Sequence, residues 1–173
     1  MDEKSAPVNI KIIILDVDGT LTDGCVYYGD NSIEIKAFDI KDGLILANLP
    51  RLGINIIFLT GRESEAVRRR AAELGATAVQ GISDKQTVLH DLLSEHCISP
   101  EKVAYIGDDL NDYAAMKTCG FKACPSDAAA EIKAICDYIS PFTGGNGAVR
   151  DICEHMLRKT GKYNEFSAQY GIY

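Results

Sequence analysis

The chain has 173 residues, 46% of them hydrophobic and 25% charged, and a formal net charge of −7. That length accommodates one domain with a full core, and the composition is that of an ordinary globular protein rather than a fibrous or disordered one. The acidic balance excludes nucleic acid and anionic membrane as general partners, because no basic patch dominates. It leaves room for a small anion held by a few local cations or a metal.

The first nine residues, MDEKSAPVN, lack the basic start and apolar core of a secretory leader, and no apolar run approaches membrane-spanning length. Six cysteines, at 25, 97, 119, 124, 136 and 153, form no CxxC pair and no metal-finger spacing. They read as reduced thiols of a cytoplasmic protein, most of them small core residues. His90, His96 and His155 are scattered over helical stretches and suggest neither a zinc site nor catalysis.

In residues 10–15, five of six are apolar and four are β-branched, so a strand buried on both faces is expected, as in a parallel sheet. It empties directly into Asp16 and Asp18, whose two-residue spacing puts them on one face at the strand's C-terminal end. Two carboxylates forced together repel unless a cation lies between them or one stays protonated. Two short β-prone runs, 25–28 and 33–38, flank GDNS and predict a hairpin just beyond the carboxylate loop. A helix is expected over 44–51, with the preceding DIKDG leading into it and Gly53 as its stop. A second buried strand over 54–59 ends in TGRES, and a helix over 63–74 and a third strand over 76–79 follow.

Residues 81–85 open a further helix with an apolar stripe of Val88, Leu89, Leu92 and Leu93. Ser99, Pro100 and Glu101 resemble a helix start. A fourth strand over 102–106 runs into GDDLND, and a short helix reaches 116–118. The run 121–124, a helix over 127–135, a strand over 137–139 and a final helix over 148–158 complete the alternation. No repeat or linker interrupts 1–173, so a single α/β domain with a doubly wound, mostly parallel sheet is expected. The tail, 159–173, carries Tyr163, Phe166, Tyr170 and Tyr173 without a period, which suggests docking on a neighbouring subunit.

Three expected strand ends thus carry polar groups to one edge: Asp16 and Asp18, then Thr60 and Gly61, then Asp108, Asp109 and Asp112. Lys85 begins a helix on the same side. Acids, a hydroxyl, backbone amides and one lysine are what phosphoryl transfer requires. Taken singly, several of these residues have simpler explanations. Thr60 with Glu63 matches a capping box, Lys85 reads as a solvated first-turn lysine, and Asp109 and Asp112 read as first-turn helix acids.

DVDGT at 16–20, the strand-end Thr60, Lys85 and GDDLND at 107–112 resemble, in order and spacing, the four motifs of the haloacid dehalogenase superfamily. The resemblance implies that Asp16 is a nucleophile forming an aspartyl-phosphate and that Asp18 is the acid/base. It implies that Mg²⁺ is held by Asp16, Asp108 and the carbonyl of Asp18, with Asp109 supporting the metal shell. Thr60 and Gly61 would bind phosphate, and Lys85 would offset the clustered charge. The intervals where relatives insert a cap domain hold only the hairpin in one case and one helix and strand in the other, as in the capless branch. LTDG at 21–24, FDIKDG at 38–43, TGRES at 60–64 and GGNGAVRDICE at 144–154 are similar to the 3-deoxy-D-manno-octulosonate 8-phosphate phosphatases.

That group implies a phosphorylated sugar acid as substrate and a homotetramer in which the hairpin of one subunit covers the site of the next. Arg62, and with it Lys41, Asp42 and Arg150, become candidates for contacts to the sugar acid. Phosphatases of nine-carbon sugar acids such as N-acylneuraminate 9-phosphate are the nearest alternative reading, and a non-catalytic scaffold or regulator is the remote one.

Overall fold

The computed structural model describes residues 9–30 and 33–173. Chain order runs β1 (Ile12–Leu15), β2 (Tyr27–Tyr28), β3 (Glu34–Ile35), α1 (Ile40–Leu46), β4 (Asn55–Leu59), α2 (Glu65–Leu74), β5 (Thr77–Val79) and α3 (Lys85–Glu95). It continues β6 (Val103–Ile106), α4 (Tyr113–Met116), β7 (Phe121–Cys124), α5 (Ala130–Ile135), β8 (Tyr138–Ile139), α6 (Ala148–Lys159) and α7 (Tyr163–Ala168). Six strands form one sheet in the order β5-β4-β1-β6-β7-β8, every neighbouring pair parallel. β2 and β3 form a separate antiparallel hairpin.

The central strand explains the doubly wound layout. All four residues of β1 are buried, and they alternate between two cores. Ile13 and Leu15 pack with residues of α1, α2, α6 and α7 on one face; Ile12 and Ile14 pack with residues of α3, α4 and α5 on the other. A strand covered on both faces has no polar side to offer, hence its unbroken apolar sequence. From β1 the chain winds outward through β4 and β5, then crosses to β6 on the opposite side of β1. The C-terminal ends of β1 and β6, with Leu15 paired to Ile106, therefore flank the point where the winding reverses, the crevice in which open α/β sheets bind ligands.

Several local expectations are corrected. The first helix begins at Ile40 rather than 44, because Asp39 accepts hydrogen bonds from the backbone N–H groups of Lys41 and Asp42 and so caps it. DIKDG is therefore mostly helix, and Leu44 on it and Ala47 just after it are exposed. Residues 49–52 form a separate 3₁₀ turn that stops at Gly53, in the left-handed region at φ +73°. α2 starts at Glu65 after Ser64, so Thr60 and Glu63 are not a capping box. Three of the six cysteines, Cys119, Cys124 and Cys153, are buried, whereas Cys25 and Cys97 are exposed. Among the described residues no helix is long and apolar enough to cross a membrane.

The aromatic tail docks on its own chain through Tyr163, Phe166 and Tyr170, while Tyr173 is wholly exposed. Phe166 is 2% exposed and joins the core beneath α1 and α6. Arg158 lies 3.4 Å over the ring of Tyr163, and the Tyr170 hydroxyl accepts a 2.8 Å hydrogen bond from the Asn48 amide.

Candidate active site

Asp16 follows β1 directly, its backbone N–H donating to the Ile106 carbonyl of β6 at 2.9 Å, and is 5% exposed. Val17 then dives into the core, and the chain wraps around its carbonyl, which accepts from the N–H groups of Leu21 (2.9 Å) and Thr22 (3.0 Å). This turn places Gly19, at φ +96°, against the end of β6: a Cβ there would lie 2.1 Å from Asp108 Oδ2. Only glycine fits, both for its backbone angle and for that closeness. Thr20 Oγ1 donates to Asp108 Oδ1 at 2.9 Å and ties the two strand ends together.

Lys85, the first residue of α3, is 2% exposed. Asp84 caps that helix through the Thr87 N–H at 3.1 Å and sets the lysine's direction. The Lys85 ammonium donates to Asp16 Oδ1 and, at 2.7 Å, to Asp112 Oδ1. Asp112 is wholly buried: it also accepts from the Tyr105 hydroxyl at 2.8 Å and from the backbone N–H of Asp108 at 3.2 Å. It is thus the anchor of the lysine and of the GDDLND loop, not a solvated first-turn acid. Nor is Lys85 a solvated lysine. A buried ammonium between two carboxylates is stable only as a group, since removal of any member strands the others.

Among the described residues, Asp16, Asp108 and Asp112 offer oxygen atoms within 4.8 Å of one another. From the protein groups alone, burial first and the Asp112 carboxylate second raise the pKa of Asp16 well above the usual range, with Lys85 opposing. Burial pushes Asp108 up to about 6, the Thr20 hydroxyl opposing. Crowded, partly buried, all-oxygen donors of this kind are relieved by a hard divalent cation, and because both Asp112 oxygens are already engaged, Oδ1 by Lys85 and Tyr105 and Oδ2 by the Asp108 N–H, Asp16 and Asp108 are the pair with oxygens to give.

The remaining expected residues fall around this centre. Thr60 directly follows β4, buried at 2% exposure, with Oγ1 accepting from the Arg62 N–H at 3.4 Å. Gly61 follows it and is exposed. Asp109 is exposed, its Oδ1 accepting from the Leu110 N–H at 2.8 Å, and it stands outside the three-carboxylate cluster. Asp18 is half-buried and faces the hairpin, where Lys36 contacts its Oδ1 and Arg62 Nε lies 4.0 Å from its Oδ2.

Lys41 and Arg150 lie elsewhere, along a cleft shared with Asp39, Asn146 and Glu154. Asp42 is buried, and its Oδ1 accepts from the Arg150 backbone N–H at 2.7 Å, capping α6 from a neighbouring helix. None of the three joins the carboxylates. A larger cavity, of about 490 Å³ beneath α3, is lined by Leu89, Leu93, Ile98 and Pro100; it is apolar and holds none of the clustered acids.

The sequence places Asp112 among the polar groups of the third strand end and Thr20 within DVDGT, whereas it does not single out Tyr105 or Lys36. The four-residue step from Asp108 to Asp112 is the one local sign that the latter turns back toward the strand end; for Tyr105 and Lys36 the sequence holds no sign.

Residues 78–152 match the family of haloacid dehalogenase-like hydrolases. The 3-deoxy-D-manno-octulosonate 8-phosphate phosphatase of Escherichia coli K12 is 41% identical over 162 residues, covering 93% of this chain and 86% of that protein. The chain belongs to the haloacid dehalogenase-like hydrolases. This hydrolase also resembles the phosphatase of the same description from Yersinia pestis, at 39% identity over 86% of this chain and 80% of that protein. Among solved structures, the Moraxella catarrhalis enzyme in complex with magnesium ion, phosphate ion and KDO superposes with a TM-score of 0.91 at 41% identity, covering 95% of both chains. The cobalt-bound Haemophilus influenzae enzyme gives 0.87 at 38%, again over 95% of both.

Proposed function

We propose that this hydrolase, as one catalytic domain, cleaves 3-deoxy-D-manno-octulosonate 8-phosphate to the free sugar acid and inorganic phosphate. The observation that carries the reading is the buried Asp16–Lys85–Asp112 group beside Asp108 at the winding reversal, in a chain 41% identical over 95% of its length to a phosphatase bound to magnesium, phosphate and KDO. Asp16, Asp108 and the Asp18 carbonyl would hold Mg²⁺, which would supply neutralising charge for the phosphoryl group. We assign Asp109 to the outer edge of that shell.

Asp16 attacks phosphorus, Lys85 holding its carboxylate in place. Asp18 gives a proton to the leaving sugar oxygen and takes one from the water that hydrolyses the aspartyl-phosphate. Thr60 Oγ1 and the Gly61 N–H hold phosphoryl oxygens, and Arg62, beside Asp18 with its side chain 44% exposed, meets the sugar acid. The protein acts in the cytoplasm, in keeping with its six free cysteines. It assembles as a tetramer whose hairpins cover neighbouring sites. Exposed Tyr27, Tyr28, Ile33, Ile35 and Ile40, which crowd the hairpin and the start of α1, support an interface there.

Phosphate release from eight-carbon and nine-carbon sugar-acid phosphates, with Mg²⁺ and with a chelator, tests the assignment. The expected result is turnover that needs Mg²⁺ and favours the eight-carbon ester. Equal kcat/KM for both would refute the substrate, and no turnover on either would favour a regulator.

A further inference from the structure

The hairpin carries an inverted pattern. Ile33 and Ile35 are 59% and 54% exposed, whereas the side chains of Glu34 and Lys36 are 18% and 1% exposed. Burying an ammonium costs several kcal/mol unless it is paired, so its partners must explain it. The Lys36 ammonium contacts Asp18 Oδ1 and lies 3.0 Å from Glu34 Oε1. Arg62 closes the ring from the other side, 4.0 Å from Asp18 Oδ2 and 3.7 Å from Glu34 Oε1, and the Tyr28 hydroxyl lies 3.4 Å from Arg62 Nη2. Two cations and two carboxylates thus alternate around Asp18. Both cations reach the same acid, but Arg62 is long-range and 44% exposed, whereas Lys36 makes direct contact and is shielded.

We propose that Lys36 is a positioning residue for Asp18, holding its carboxylate in the single orientation from which it exchanges protons during phosphoryl transfer. The inference rests on the roles assigned above to Asp16 and Asp18. In the first half-reaction the bond from phosphorus to the sugar oxygen breaks, the bond from Asp16 to phosphorus forms, and the Asp18 proton passes to the leaving oxygen. In the second, water oxygen bonds to phosphorus, the Asp16–phosphorus bond breaks, and a water proton returns to Asp18. Each transfer needs the carboxylate within hydrogen-bond reach of a defined oxygen. A partly exposed aspartate alone has several rotamers. One held by a buried lysine that Glu34 also engages has one. The hairpin thereby contributes to catalysis within its own subunit, at its base, besides any contact its exposed face makes.

The test uses leaving groups of different basicity with the whole enzyme and Mg²⁺. An alkyl phosphate that the wild type cleaves needs Asp18 to protonate its leaving oxygen, whereas 4-nitrophenyl phosphate releases a stable nitrophenolate without that proton. Single-turnover rates of the first half-reaction would be measured for wild type, Lys36→Met, Lys36→Gln and Lys36→Arg, with thermal unfolding alongside. The uncharged variants are expected to lose about 10- to 100-fold on the alkyl ester and less than about 3-fold on nitrophenolate release, with Lys36→Arg recovering most of the loss. Equal losses on both esters, or none on the alkyl ester, in either uncharged variant would overturn the proposal. A wild type that cleaves both esters but not the octulosonate ester would overturn only the substrate reading, and one that cleaves neither would overturn both.

Discussion

At Asp16 the physical demands on a single side chain conflict, and the surroundings reconcile them. Burial disfavours its ionised form, yet the attack on phosphorus and the metal binding proposed for it need that form, and Lys85 supplies the compensating charge. Replacing the carboxylate by an amide keeps the shape and one hydrogen-bond acceptor but removes the nucleophile. Asp16→Asn is therefore expected to lose at least about 10³-fold in kcat while retaining its fold, checked by phosphate release and circular dichroism. Gly19 is equally constrained from the backbone side. Gly19→Ala would push a methyl into Asp108 Oδ2, 2.1 Å from the Cβ position, and force a side chain into φ +96°. The variant should bind Mg²⁺ at least tenfold more weakly by calorimetry, because Asp108 must move; unchanged affinity would refute the role given to that contact.

Among the elements, α1 and α6 are coupled by one carboxylate. Asp42 on α1 caps the N-terminus of α6, whose own N-cap, Gly147, has no side chain to offer. Burial nevertheless pushes Asp42 up to about 6, against the opposing Arg150 backbone N–H. An acid that binds its proton more tightly when folded contributes fully below its unfolded pKa, near 4, and the contribution is lost as pH rises through about 6. Asp42→Asn preserves the acceptor and removes the titration. Relative to the parent, the variant should gain up to about 3 kcal/mol between pH 4 and pH 7 in urea unfolding, and a constant difference across that range would refute the shift. The tail shows the same dependence on neighbours. Its aromatics have no helical period long enough to read, and Phe166 finds its place only once α1 and α6 have formed a groove for it.

At the scale of the whole molecule, the hairpin turns an apolar face away from the core. Tyr28 at 71% and Ile35 at 54% exposure are too apolar for a surface that meets only water. If they meet other subunits, Ile35→Asp should convert the proposed tetramer to smaller species in light scattering. The contact of Lys36 with Asp18 lies within one subunit and would survive, so cleavage of an alkyl phosphate should persist. A wild type that is already monomeric would refute the assembly.

Much of this architecture was legible in the chain itself. Runs such as 10–15 and 54–59 had to be strands buried on both faces, because no other element hides that many β-branched side chains in so few residues. The acids after β1 and β6 advertised their chemistry through their placement at strand ends, and Gly19, Thr60 and Lys85 followed in matching order. What escaped was every property that depends on which residues become neighbours. Asp112 and Lys85 are 27 positions apart, and only the crossover from β5 through α3 to β6 brings them together. The pattern of 33–36 alternates isoleucine with charge, and a period of two states that one face differs from the other without saying which is buried. Tertiary structure chose the charged face, because Asp18 and Arg62 lay beneath it. The sequence by itself determined the strands, their polar ends and the reaction type, since these follow from local periodicity and residue chemistry. The pairing of Lys85 with Asp112, the docking of the tail and the burial of Lys36 were decided by long-range packing alone.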